Sequence, residues 1–320
     1  MQHRPARRTV LAALALAFAS RGRAGAQPAR GALKVALIPS DFAGQVYYAK
    51  DMGFFDRAGI DVEITPITNG AAIQAALTSG ALDIGYSNVV AVATAHEKGV
   101  PFVFLAASNV YVPRAVGTGI LVVQRAAAIR SAKDLEGKTV AVSGINELAA
   151  LAVRHWVDTH GGDSTALKFV ELPFPAMAEA VKAGRVDAAS INKVVAPTAG
   201  RPGDPLRVLA NTYDAVAPRW IPSSWIATPV WIVRHPDEAK RFVAVMKETA
   251  TWANAHHRET AVILAKYLNQ SPEQIELVPR AEYGTSITPP LIQPVIDLCV
   301  KYGVIKQTFP AADIIDPLAR

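Results

Sequence analysis

AIQAALTSGALDIGYSN, residues 72–88, returns in altered form as AMAEAVKAGRVDAASIN, residues 176–192. Gly80 and Gly184, Asp83 and Asp187, and Asn88 and Asn192 each stand 104 residues apart. The same register sets KVALI (34–38) opposite KTVAV (138–142) and the apolar run 64–68 opposite 168–172. A fixed offset across three successive elements predicts a duplicated β-α-β-α-β unit. Within each copy, Ile73, Ala76 and Leu77, or Met177, Ala180 and Val181, recur at helical spacing and give the helix a buried stripe. Gly80 and Gly184 then fall where a helix ends in a left-handed residue. A short strand follows and ends at Ser87-Asn88 or Ile191-Asn192. Ligands of parallel α/β sheets bind at the carboxyl ends of strands, so both asparagines are expected at one place.

Outside this unit, composition narrows the choices. A chain of 320 residues, 51% hydrophobic and 19% charged, is globular and long enough for two domains. Its formal charge of +6 suggests a nucleic-acid partner only until its position is read. Arg4, Arg7, Arg8, Arg21 and Arg23 lie in the first 26 residues without an acidic residue, so the remainder carries +1. That balance leaves no electrostatic footprint for a phosphate backbone. The basic start, the apolar run 10–19 and Ala24-Gly25-Ala26 before Gln27 read as a cleaved export signal over residues 1–26, with Arg7-Arg8 giving it twin-arginine character. Ten apolar residues are too few for the roughly 20 of a membrane-spanning helix. A periplasmic location follows. Cys299 is the sole cysteine and sits with Ile292, Val295 and Ile296 on a core face, which excludes an intramolecular disulfide and a cysteine metal cluster.

Taken in order, residues 33–38 read as a buried parallel strand, 40–45 as a loop opening a helix, and Asn69-Gly70 as the entry to the first repeated helix. A fourth strand ends at Ser108-Asn109. The segments PSDFAGQVYYAKDMGFFDRAGIDVEI, NGAAIQAALTSGALDIGYSN and SAKDLEGKTVAVSG, in this order and spacing, resemble the solute-binding proteins of bacterial ABC importers, in the group that includes nitrate, taurine, aliphatic-sulfonate and thiamine-pyrimidine-precursor binders. The resemblance covers nearly the whole chain after the leader. It implies an α/β, two-lobed periplasmic-binding-protein fold of type II with two hinge crossings and a ligand cleft between lobes. The glycine-flanked apolar run 117–123 reads as the strand leaving the first lobe, and WIATPVWIV, 225–233, as a single strand returning to it. The expected division is therefore 27–116 with 225–320 for the first lobe and 117–224 for the second. Ser131 to Asp134 reads as a helix start, Ser271 with Gln274 as a capping box, and the chain from Pro236 onward as mainly helical.

Catalytic motifs are missing from the sequence: it contains no Cys-x-x-Cys, His-Glu-x-x-His or Gly-x-Ser-x-Gly pattern and no phosphate-cradling glycine loop. His155, His160, His235, His256 and His257 lack ligand spacing with a third donor. No catalytic residue, metal or cofactor is expected. Binding residues are instead expected in loops. Helix N-termini offer unpaired N–H groups to ligand oxygens, which points to Ser40, Phe42 and Gln45 in one loop, to Asn69, and to Ser143, Ile145 and Asn146. Ser40, Asn69 and Ser143 have the alternative role of capping their own helices. Ser87, Asn88, Asn109 and Asn192 end strands with donors and acceptors, the alternative being turn formation. Phe174 and Trp220 supply aromatic surface, as do Tyr47 and Trp225 if they are not core residues. Arg114, Lys193 and Arg219 are the nearest cations, with solvated rim positions as the alternative. The expected function is capture of a small organic solute, aromatic or bearing a sulfonate or carboxylate, for an ABC importer permease and its ATPase. The expected partners include no nucleic acid, and the protein is expected to be a monomer. The competing expectations are an enzyme on the same fold, of pyrimidine-precursor synthesis type, and a stand-alone extracytoplasmic sensor.

Overall fold

The protein is described by a computed structural model over residues 31–67, 70–113, 119–192 and 198–320. The export signal, Asn69, Arg114 and Lys193 lie outside these described residues. Ala32–Arg320 is one compact unit. It is built on two five-stranded sheets.

The first copy of the repeat is β1 (Leu33–Leu37), α1 (Gln45–Asp51), the short α2 (Phe54–Arg57), β2 (Val62–Pro66), α3 (Gly70–Ser79) and β3 (Ile84–Asn88). After it come α4 (Val89–Glu97), β4 (Val103–Ala106) and the short β5 (Asn109–Val110), and β6 (Ile120–Gln124) opens the second sheet. The second copy is β7 (Thr139–Val142), α5 (Leu148–Thr159), β8 (Lys168–Glu171), α6 (Phe174–Lys182) and β9 (Ala188–Ile191), followed by β10 (Leu206–Asn211). Apolar, β-branched runs such as ILVVQ become strands buried on both faces, and LAALAVRHWVDT, rich in alanine and leucine, becomes a helix.

Identical backbone bonding in both copies accounts for the repeated residues. Asp83 accepts the Lys34 N–H on its carboxylate at 2.8 Å, and Asp187 accepts that of Thr139 at the same distance. Each aspartate therefore ties the start of the third strand to the start of the first. Gly80 and Gly184 have φ of +75° and +67°, the left-handed close of α3 and α6. One detail of the expected register is corrected. Lys34 pairs with Glu63 as Thr139 pairs with Lys168, so the first two strands correspond at 105 residues rather than 104. The third strands keep 104, since Val35 pairs with Ile84 as Val140 pairs with Ala188. The second copy is one residue shorter between its second and third strands.

The remaining chain is β11 (Ser223–Ala227), α7 (Pro229–Arg234), α8 (Pro236–Ala255), α9 (His257–Leu268), α10 (Pro272–Glu276), β12 (Glu282–Tyr283) and α11 (Pro289–Lys301). Strand orders are β2-β1-β3-β11-β4 and β8-β7-β9-β6-β10. In each, an antiparallel strand from the chain crossing lies beside the third strand of the repeat: β11 beside β3, β6 beside β9. The chain thus passes from the first sheet to the second before β6 and back before β11. The single strand expected over 225–233 stops at Ala227. Thr228 caps α7 through the Trp231 N–H, and Pro229 takes the first helical position, where its missing N–H costs nothing. The expected helix start at Ser131 is a 3-10 turn over Lys133–Leu135, and the Ser271–Gln274 capping box forms with both bonds. Phe242, Val245 and Met246 of α8 belong to the core cluster that includes β1 and α1, and Cys299 of α11 is buried beside α4.

Gly85 and Gly80 separate two uses of glycine. A Cβ at Gly85 would meet Ile73 Cγ2 at 2.5 Å and Leu77 Cδ1 at 2.9 Å, because α3 lies directly on β3 there. At Gly80 it would meet nothing within 4 Å, but φ is positive. Gly85→Ala is expected to cost about 1–3 kcal/mol by overpacking. Gly80→Ala is expected to cost about 1–2 kcal/mol by backbone strain alone. Urea unfolding of the two variants checks both values.

Candidate functional site

The loop after β1 begins the first half of the site. Ser40 does not cap a helix: its hydroxyl donates to the Ile38 carbonyl at 3.2 Å. Asp41–Ala43 forms a 3-10 turn that leads through Gly44 into α1. Phe42 is half-buried, and its carbonyl accepts from Ser108 Oγ at 2.7 Å. Gln45 is fully buried, with Oε1 accepting the Trp225 indole N–H at 2.9 Å and Nε2 donating to the Met246 carbonyl at 3.4 Å. Tyr47 and Trp225 are core residues, Tyr47 stacking on Tyr267 at 3.9 Å between ring centres.

At the end of β3, Ser87 is buried and receives Gln74 Nε2 at 3.3 Å. Half-buried Asn88 caps α4, its Oδ1 accepting the Ala91 N–H at 2.8 Å. Its local role is thus a helix cap rather than the turn expected as the alternative, and it uses the oxygen end of the amide. Asn109 is buried in β5, with Oδ1 held by the Tyr86 hydroxyl at 2.7 Å. Trp220 is fully buried against Tyr111 and Tyr213, at 5.4 and 5.3 Å between ring centres, and its indole N–H has no partner among the described residues. Arg219 pairs with Glu282 at 3.2 Å on the surface.

The second half sits at the ends of β7, β8 and β9. Ser143 Oγ donates to Glu147 Oε2 at 3.0 Å, and the residue at the N-cap of α5 is Glu147 rather than Ser143. The half-buried Ile145 donates its N–H to Glu171 Oε1 at 2.9 Å, and Asn146 is exposed. Phe174, half-buried, opens α6 behind Pro173, and Asn192 follows β9 half-buried. Hydrogen bonds thus link Phe42 to Ser108 and Asn109 to Tyr86 beside the first sheet, and Ser143 to Glu147 and Ile145 to Glu171 beside the second.

Sequence reasoning missed the ion pair that fixes the first loop. Asp41 and Arg280 have side chains 7% and 9% exposed. Arg280 grips both carboxylate oxygens, Nη2 to Oδ1 at 2.9 Å and Nε to Oδ2 at 3.0 Å, and its Nη1 donates to the His257 carbonyl. The Ala281 N–H and the Tyr48 hydroxyl complete the carboxylate at 2.8 and 2.9 Å, and the Tyr283 hydroxyl donates to the Asp41 carbonyl. Gly44 makes room: a Cβ there would stand 2.6 Å from the Tyr48 hydroxyl oxygen. Burial pushes the Asp41 pKa up, but the guanidinium bonds and charge, the Ala281 N–H and the Tyr48 hydroxyl outweigh it and hold the carboxyl below its ordinary value.

Two outcomes follow. Arg280→Met leaves a buried carboxylate without its cation and is expected to cost about 3–5 kcal/mol in urea unfolding. A pKa depressed in the folded state contributes stability above the unfolded value of about 3.9, and that contribution is lost as pH falls through the folded value. Wild-type protein is expected to lose this contribution below about pH 4, and Asp41→Asn to show a shallower acid loss when melting is followed by circular dichroism.

The sequence matches the family described as NMT1/THI5 like over residues 40–260. A provisionally named binding protein of Brucella abortus is 26% identical over 243 residues, 75% of this chain and 72% of that protein. The periplasmic aliphatic sulphonate binding protein SsuA of Escherichia coli has the same fold at a TM-score of 0.72 and 16% identity, covering 89% of this chain and 92% of that one. The ligand-binding component of an ABC-type import system from Staphylococcus aureus aligns at a TM-score of 0.74 and 14% identity, covering 90% and 97%. The fold is thus that of the periplasmic binding proteins, and the chain belongs to the NMT1/THI5-like family.

Proposed function

We propose that this protein is the exported solute-binding component of an ABC import system, which captures a small organic molecule between two lobes and delivers it to a membrane permease with its ATPase. The observation that carries the reading is the duplicated unit: two sheets present matching loops at matching strand ends, each reached by one chain crossing. Family membership and the binding proteins among its structural neighbours support it. The lobes of this reading are 27–116 with 225–320, and 117–224. The leader 1–26 directs export to the periplasm and is removed.

Phe42, Asn88, Ser143, Ile145, Asn146, Phe174 and Asn192 are the solute-facing residues of this proposal, together with Ser40 and Asn69. Gln45, Ser87, Asn109 and Trp220 stand behind them, buried. A solute touching both lobes stabilises the closed form, so selectivity comes from closure and no covalent bond is made.

Native mass spectrometry of the purified mature protein, followed by thermal-shift screening of sulfonates, aromatic carboxylates, pyrimidines and nitrate, tests the proposal. A solute at 100 times its Kd is expected to add about 2.7 kcal/mol, visible as a raised Tm. Turnover of any screened compound, with no binding, would favour the enzyme reading instead. Asn88→Ala is expected to cost about 1 kcal/mol through the lost cap and, in the same assay, to weaken the thermal shift produced by the solute.

A further inference from the structure

On the proposed lobe division, residues 277–283 bond to the first lobe and reach towards the second. Towards the first, Arg280 and the Ala281 N–H hold Asp41, the Tyr283 hydroxyl reaches the Asp41 carbonyl, and β12 pairs with β5 at Tyr283 and Asn109. Towards the second, the Leu277 carbonyl accepts Arg201 Nη2 at 3.4 Å, and Glu282 Oε1 pairs at 3.2 Å with Nη1 of Arg219, which lies on the crossing between the sheets next to Trp220. Arg201 lies in the loop after β9, and Arg219 between β10 and β11.

The two sides differ in strength. The joint to Asp41 is buried, charge-assisted and gripped by the planar fork of one guanidinium, which fixes the plane of the carboxylate as well as its distance. The Arg219–Glu282 pair has side chains 54% and 39% exposed, and the Arg201 bond is long and at the surface, so both exchange readily with water. Asp41 has no free acceptor capacity for a solute, because four donors already occupy its carboxylate. Its place is mechanical.

We propose that residues 277–283 form a strap that carries the position of the second lobe to the solute-facing loop 40–44, with Arg280 as its positioning residue. The proposal rests on the reading of that loop as part of a solute cleft. Whether the surface bonds to Arg201 and Arg219 are made or released sets where the strap lies, and the 3-10 turn, held to the strap through Asp41, takes its position from it. Phe42 rides on that turn.

Hydrogen-exchange mass spectrometry of the full mature chain tests the strap without any solute, so a protein that bound none of the screened compounds would still give an answer. Arg219→Gln with Arg201→Gln is expected to raise exchange of the amides over 40–48 by about 1.4- to 5-fold, although neither arginine touches them. Peptides over β7 and α5 are expected to keep wild-type rates. Glu282→Gln breaks one of the two links from the strap's own side and is expected to act in the same direction. Arg280→Lys keeps the charge but not the fork. It is expected to raise exchange over 40–48 further, and to remove the added response to the Arg219 and Arg201 changes, the non-additivity that a relay requires. A role confined to local packing predicts additive effects. Wild-type exchange over 40–48 in the Arg219→Gln, Arg201→Gln protein, with changes only in 219–222 and 277–283, would overturn the proposal.

Discussion

The Asp41–Arg280 pair constrains the first half of the site more than any other contact. A buried carboxylate and guanidinium are costly to take out of water, and the cost is met here by complete bonding: the fork of the arginine, one backbone N–H and one tyrosine hydroxyl on the carboxylate. Completeness imposes geometry on the neighbours. Tyr48 must approach over Gly44, which therefore carries no side chain, and Tyr283 must reach back to the Asp41 carbonyl, which aligns β12 with β5. Through that pairing the constraint extends to Asn109, and through the Ser108 bond to Phe42 it returns to its own loop. The loop after β1, the β5–β12 pair and Ser108 after β4 are thus tied to one buried charge pair contributed by residues 239 positions apart.

Much of the fold could be read in the sequence because the duplication is local and periodic. Gly80 and Gly184 mark helix ends by a backbone requirement that few other residues meet, and the two aspartates mark strand starts by a carboxylate bond to the same kind of N–H. Those signals survive weak identity between the copies. The one-residue slip in the first two strands was hidden because an apolar run reads equally well one position to either side, with polar alternation absent from strands buried on both faces. The strand expected over 225–233 failed for a related reason. WIATPVWIV is apolar throughout, and only Thr228-Pro229, a cap followed by a first-turn proline, records the change from strand to helix.

The site was legible as loops and not as contacts. Ser40 and Ser143 fall in loops after strands and Asn88 at a strand end, as expected, whereas Phe174 opens a helix, and several contacts behind these loops come from residues far away in sequence. Gln45 illustrates this: a polar residue at a helix start invites a ligand role, but Trp225 and the Met246 carbonyl, 180 and 201 residues away, take both ends of its amide. Arg280 carried no signal at all, being one cation among many in a segment without periodicity. Pairings across such distances are set by tertiary folding, and no spacing rule reaches them.

The same reasoning bears on what the second half of the site offers a solute. A bare helix N-terminus attracts anions through its unpaired N–H groups and its partial positive charge. At α5 the protein supplies its own carboxylates: Glu147 occupies the N-cap with Ser143 bonded to it, and Glu171 takes the Ile145 N–H. An incoming sulfonate would have to displace Glu171 from that N–H and tolerate Glu147 nearby, whereas an uncharged group or a hydrogen-bond donor meets acceptors already in place. Shared architecture with sulfonate-binding proteins therefore does not carry their chemistry across, because the charge at this helix terminus is set by two side chains and not by the fold.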